Sequence, residues 1–145
     1  MVDGRYIYVI GGRDSLLETP LDSIERLDGF MELSQQRWET IQHVSKDQLW
    51  SPRDTLGSFA LNDSEIMIFG GDYGWISDCF LFNTKTLEIE KVQDCSLKKP
   101  EEFHKTQPVR YNDKVFVMGC QDNDVHVYSI KSKRWFILEK WYIEW

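Results

Sequence analysis

Three segments of this chain run apolar residues into a glycine turn, and that repetition limits the possible folds more than any other feature. They are Ile7-Tyr8-Val9-Ile10-Gly11-Gly12, Ile66-Met67-Ile68-Phe69-Gly70-Gly71 and Val115-Phe116-Val117-Met118-Gly119-Cys120. A turn-forming pair precedes each: Asp3-Gly4, Asn62-Asp63 and Asn112-Asp113. Such pairs accept positive φ and reverse the chain between antiparallel strands. Each apolar run reads as a strand buried on both faces, and the glycines let the chain turn at its end without a Cβ clash. A second strand follows each glycine turn: Ser23–Asp28, Asp78–Asn83 and Asp124–Ser129. A third element then opens on Trp38-Glu39-Thr40-Ile41, Ile89-Glu90-Lys91-Val92 or Trp135-Phe136-Ile137-Leu138. Gly11, Gly70 and Gly119 stand 59 and 49 residues apart. The excess in the first unit falls in the Gly29–Gln36 loop and the 43–52 connection, because loops absorb insertions at small cost.

A unit of about 50 residues with a glycine pair after its second strand, an aromatic-polar end to the third and Trp in the fourth resembles the kelch repeat. The resemblance covers nearly the whole chain. Two departures stand out: Ile89 where the second unit should have Trp, and Cys120 for the second glycine of the third. The resemblance implies an all-β fold, a partial kelch-type β-propeller of three four-stranded antiparallel blades, inner strand first. Blade 1 is expected over 3–44, blade 2 over 51–94 and blade 3 over 103–140, with 141–145 a further strand or a tail. The inner strand of the second blade is placed in Leu56–Leu61. That of the third is placed near Thr106–Tyr111, interrupted by Pro108, an awkward residue in a paired strand. The first blade begins at Asp3 and lacks its inner strand. Closed propellers have about 4–8 blades, so three do not close a ring, and the open sides are expected to be covered by another chain or by further blades.

Composition narrows the partners. The net charge of −7 argues against nucleic acid, which demands concentrated Lys and Arg, and against an anionic membrane surface. No apolar run approaches the roughly 20 residues that span a bilayer. Aromatic residues make up 14% of the chain, a density suited to layered β structure. The N-terminus enters a strand pattern directly, so no signal peptide is expected. Cys79, Cys95 and Cys120 are odd in number and match neither a disulfide framework nor a zinc site. A reducing, cytoplasmic setting is the simpler expectation, with a cytoskeletal or ciliary assembly as its specific form.

Candidate chemistry is sparse. His43, His104 and His126 pair at no metal-ligand spacing, so neither metal nor other cofactor is expected. Asp122-Asn123-Asp124 starts like a calcium loop but lacks the later Gly and the distant Glu, and reads as a polar connection. Glu101-Glu102 reads as a solvated charge patch. No phosphate-cradling loop or nucleophile elbow occurs, and no enzymatic activity is expected. Trp38 and Trp135 occupy the repeat's own Trp position and read as blade packing. Strands alternate in direction within a blade, so the loop after the second strand and the connection to the next blade emerge on one rim. That rim gathers Arg13, Trp50, Arg53, Tyr73 and Trp75 as candidate partner-binding residues, since exposed aromatics with Arg make interface hot spots. Trp50 and Trp75 read equally well as covers for the blade ends. Arg53, after Pro52 where an inner strand begins, also reads as a structural inter-blade contact. The resemblance implies a protein-binding or scaffolding module within a larger intracellular assembly. A substrate-recruiting subunit of a ubiquitin ligase, or a propeller enzyme such as a sugar-acid epimerase or oxidase, are the alternatives.

Overall fold

The computed structural model describes residues 4–71, 78–92, 107–118 and 125–138. Among them are twelve strands and no helix. Sheet one holds β1 (Tyr6–Ile10), β2 (Ile24–Asp28) and β3 (Trp38–Ile41), in that order. Sheet two holds β4 (Val44–Ser45), β5 (Gly57–Ala60), β6 (Glu65–Phe69), β7 (Cys79–Asn83) and β8 (Glu88–Lys91), ordered β4-β8-β7-β6-β5. Sheet three holds β9 (Gln107–Tyr111), β10 (Lys114–Met118), β11 (Val125–Ser129) and β12 (Arg134–Leu138), each paired to its neighbour in sequence. The described residues are all-β and form three blades of an open propeller.

The turn chemistry is what sets the strands. Gly4 and Asn112 adopt positive φ ahead of β1 and β10, and Gly11, Gly12, Gly70 and Gly71 do so after β1 and β6. Gly11 has a second reason to be glycine, because a Cβ there would run into the backbone carbonyl of Arg53. Registers repeat from blade to blade: Leu27 faces Trp38, Phe82 faces Ile89, and Tyr128 faces Trp135.

Strand alternation sorts the side chains into two inter-blade cores. Tyr8 and Ile10 of blade 1 meet Ile66, Ile68, Phe80 and Ile89 of blade 2. Met67 and Phe69, on the other face of β6, meet Val115, Val117, Tyr128 and Trp135 of blade 3. Strand β6 is therefore buried on both faces, as its unbroken apolar run requires. Each large side chain so enclosed contributes roughly 1.5–3 kcal/mol.

Four features depart from the sequence reading. Val44 and Ser45 leave the first unit and pair, in parallel, with Glu88 and Ile89 respectively on the outer edge of blade 2, making a five-stranded sheet. That added strand lies over Ile89, which is fully buried without being Trp. Pro108 does not interrupt β9: it pairs with Val117 on an edge strand, where a missing N–H is tolerated. Trp38, assigned to blade packing, is 50% exposed, whereas Trp135 is 8% exposed. The repeat position points its side chain toward the preceding blade, and blade 1 has none among the described residues.

One packing detail gives a direct test. A Cβ at Gly57 would overlap the ring of Phe69, its partner across the sheet. Gly57→Ala is expected to destabilise by about 1–3 kcal/mol through overpacking. Adding Phe69→Leu should make the combined loss smaller than the two single losses summed, which thermal melts of the four proteins would measure.

Candidate functional site

The rim is built by stitching the loop after β1 to the connection that enters β5. Gly12 N–H donates to Arg53 O at 3.0 Å, Arg53 N–H to Leu21 O at 2.9 Å, and Leu21 N–H to Gly12 O at 2.8 Å. Above this ladder Arg13 Nε donates to Asp54 Oδ2 at 2.6 Å. Asp54 is buried and Arg13 half exposed, so the pair spans the rim from inside to out.

The loop continues as a pinned finger. Arg13 bridges Pro20, and Asp14 N–H donates to Thr19 O at 2.9 Å. The Asp14 carboxylate accepts the backbone N–H groups of Leu16 at 2.7 Å and Leu17 at 3.0 Å. Those bonds, Leu17's first, hold the Asp14 carboxyl below its ordinary range. The turn they enforce leaves Leu16 91% and Leu17 71% exposed. Sequence reading missed both leucines. The available signal was the Asp14 turn pattern inside a loop long enough to stand clear of the blade.

Arg53 needs correction as a contact residue, because its side chain is fully enclosed. Nη1 donates to Asp78 Oδ1 at 3.0 Å and Gly70 O at 3.3 Å, and Nε to Ser51 O and Nη2 to Ser51 Oγ, both at 3.2 Å. The guanidinium lies 4.4 Å from the Trp50 ring centre and 4.7 Å from that of Phe80. Burial pushes its pKa down and Asp78 pulls it back up. The side chain thus closes the second blade's own top, while its backbone carries the bonds to blade 1. Trp50 is half-buried; its indole N–H donates to Asp22 O at 2.9 Å, and its ring stands edge-on to Phe80 at 5.3 Å. It covers the end of the first inter-blade core.

Of the proposed rim set, the structure brings Arg13, Trp50 and Arg53 together. Tyr73 and Trp75 lie outside the described residues, as do Glu101, Glu102, the 122–124 run and residues 141–145. Among the described residues no cluster of three or more His, Cys, Asp or Glu side chains is arranged to hold a metal. No helix among them is long and apolar enough to cross a membrane. Cys79 is buried and disulfide-bonded, where the cysteine spacing had pointed to no disulfide framework.

Residues 1–28 match the family model for the Kelch motif. The match covers the first unit alone; the two later blades repeat its strand registers, and the second also its glycine turn. No curated protein matches the sequence. A kelch motif suggests a protein-interaction module, and the rim offers surface for contact rather than a set of reacting groups.

Proposed function

We propose that this kelch-repeat chain binds another protein through the 13–20 finger and works as a subunit of a larger assembly. The observation that carries the proposal is the exposure of Leu16 and Leu17 on a loop whose backbone is already bonded in place. A rigid apolar tip loses little conformational entropy when it docks. It suits a partner with an apolar pocket, and the half-exposed Arg13 beside it suits an acidic edge to that pocket. Tyr73 and Trp75 join the same rim in this proposal on repeat position alone. The cytoplasmic, cytoskeletal or ciliary setting also belongs to it. The Cys79 disulfide weighs against a reducing compartment, and alkylation of the native protein before and after reduction would decide between free and bonded thiols.

Proteins recovered from source cells on the tagged parent chain provide the test. Leu16→Asp with Leu17→Asp should reduce recovery of a specific partner at least tenfold, with the melting temperature unchanged within about 2 °C. Equal recovery by the variant would remove the finger from the interface.

A further inference from the structure

We propose that the hollow between blades 2 and 3 binds a small carboxylate whose apolar body is about the size of one aromatic ring. The hollow measures about 290 Å³, near the lower limit for pockets that enclose a small molecule. Its wall is apolar: Leu61, Met67 and Leu81 of blade 2, Val92 just past β8, and Tyr128 and Ile130 of blade 3. Leu61, Met67 and Tyr128 are buried. Glu90, Lys91 and Lys133 also line it but reach into water, so the hollow has a dry floor and a charged mouth. None of these residues belongs to the rim finger.

Side-chain choice opens this space, as the other inter-blade boundary shows. The strand registers align Tyr6, Tyr8, Arg26 and Glu39 of blade 1 with Glu65, Met67, Leu81 and Glu90 of blade 2. On blade 1 those side chains pack on one another. Arg26 Nε donates to Glu39 Oε2 at 2.8 Å, and the guanidinium lies 4.9 Å from the Tyr6 ring centre. The Tyr8 ring meets Phe82 edge-on at 6.1 Å. On blade 2, Met67 stands for Tyr8 and Leu81 for Arg26, both shorter, and Glu65 brings no ring where Tyr6 has one. Interiors are otherwise close-packed, and an unfilled apolar space costs stability in proportion to its volume. The body of a ligand offsets that cost by taking the wall out of water.

The charge at the mouth selects the head group. Glu90 Oε2 accepts from Lys46 Nζ at 3.1 Å, Glu65 accepts from the Asn62 side-chain amide, and Lys91 Nζ stands 3.5 Å from Asp78 Oδ2. Lys133 has no hydrogen bond or ion pair among the described residues. The uncommitted charge is therefore a cation, which suits a carboxylate beside the apolar body.

NMR of the methyl-labelled parent chain titrated with 3-phenylpropionate provides the test. Signals of Met67, Leu81 and Ile130 should shift saturably with Kd below about 1 mM, while those of Ile24 and Ile41 in the other core stay in place. 3-Phenyl-1-propanol keeps the ring without the charge and should bind about threefold more weakly, the worth of an exposed ion pair. 3-Phenylpropylamine should bind more weakly still. Lys133→Glu should remove the preference for the acid and leave the affinity for the alcohol unchanged. Leu81→Trp should fill the hollow and weaken all three ligands by about tenfold or more. Should that variant fail to fold, the exposed Lys133→Glu decides. The tripeptide Ala-Ala-Phe carries the same ring and carboxylate at a chain end. Tighter binding of the tripeptide than of the free acid would assign the hollow to a peptide and overturn the proposal. No saturable shift, equal affinity for acid and amine, or shifts confined to residues outside the hollow would overturn it as well.

Discussion

Trp135→Ala is expected to lower stability by about 3–5 kcal/mol, the range for truncating a buried large aromatic. Trp135 is 8% exposed, and its ring packs at 5.2 Å from Tyr128 and 5.6 Å from Phe69, with Phe59 at 6.5 Å. It joins β12 to the face of blade 2, so its loss opens a cavity at the boundary between two sheets. Trp38 supplies an internal control. The two tryptophans occupy one repeat position in one register, but Trp38 is half exposed. Trp38→Ala should cost less than about 1 kcal/mol, since half of its surface is already in water. Urea unfolding midpoints of the two variants would measure the difference. Equal losses would mean that the faces of the blades have been assigned the wrong way round.

That contrast shows what the amino-acid pattern could and could not reveal. The glycine turns, the strand order and the pairing of Leu27, Phe82 and Tyr128 with the fourth-strand residue were legible, because they depend on local backbone chemistry and period-two alternation. Exposure was not. A repeat position states which way a side chain points, while its burial depends on whether another blade stands there, and Trp38 and Trp135 differ in that alone. The two-residue strand β4 was hidden for a related reason: Val44-Ser45 is too short to show a period, and its partner β8 lies more than forty residues on. Pro108 looked disruptive until β9 proved to be an edge strand. At the rim, Arg53 was found through its place after Pro52, but a charged residue is almost never fully buried unless paired, so reading its chemistry alone placed it outside. The finger leucines were passed over because aromatics, not leucines, dominate interface hot spots.

Arg53→Ala is expected to cost about 3–5 kcal/mol, because it removes one member of a buried ion pair and leaves the other groups desolvated. Four oxygens lose this donor: Asp78 Oδ1, Gly70 O, Ser51 O and Ser51 Oγ. The rings of Trp50 and Phe80 lose the cation stacked against them. Asp78→Asn should be milder, at about 1.5–3 kcal/mol, the worth of a hydrogen bond to a charged group. Arg53 would keep its bonds to Gly70 and Ser51 in that variant, and the Asp78 side chain retains 20% exposure to water. Arg53→Lys should recover only a small part of the loss, since a lysine ammonium cannot reach those acceptors as a planar fork or stack between two rings. Backbone contacts make the consequence reach blade 1: Arg53 N–H and O are the bonds that hold Leu21 and Gly12. Hydrogen exchange should therefore accelerate at the Gly12 amide in Arg53→Ala, while amides of β11 in blade 3 keep the protection set by their own strand partners. A loss below about 1 kcal/mol, or a Gly12 amide that exchanges no faster than in the parent, would show that the enclosed guanidinium does not anchor the rim.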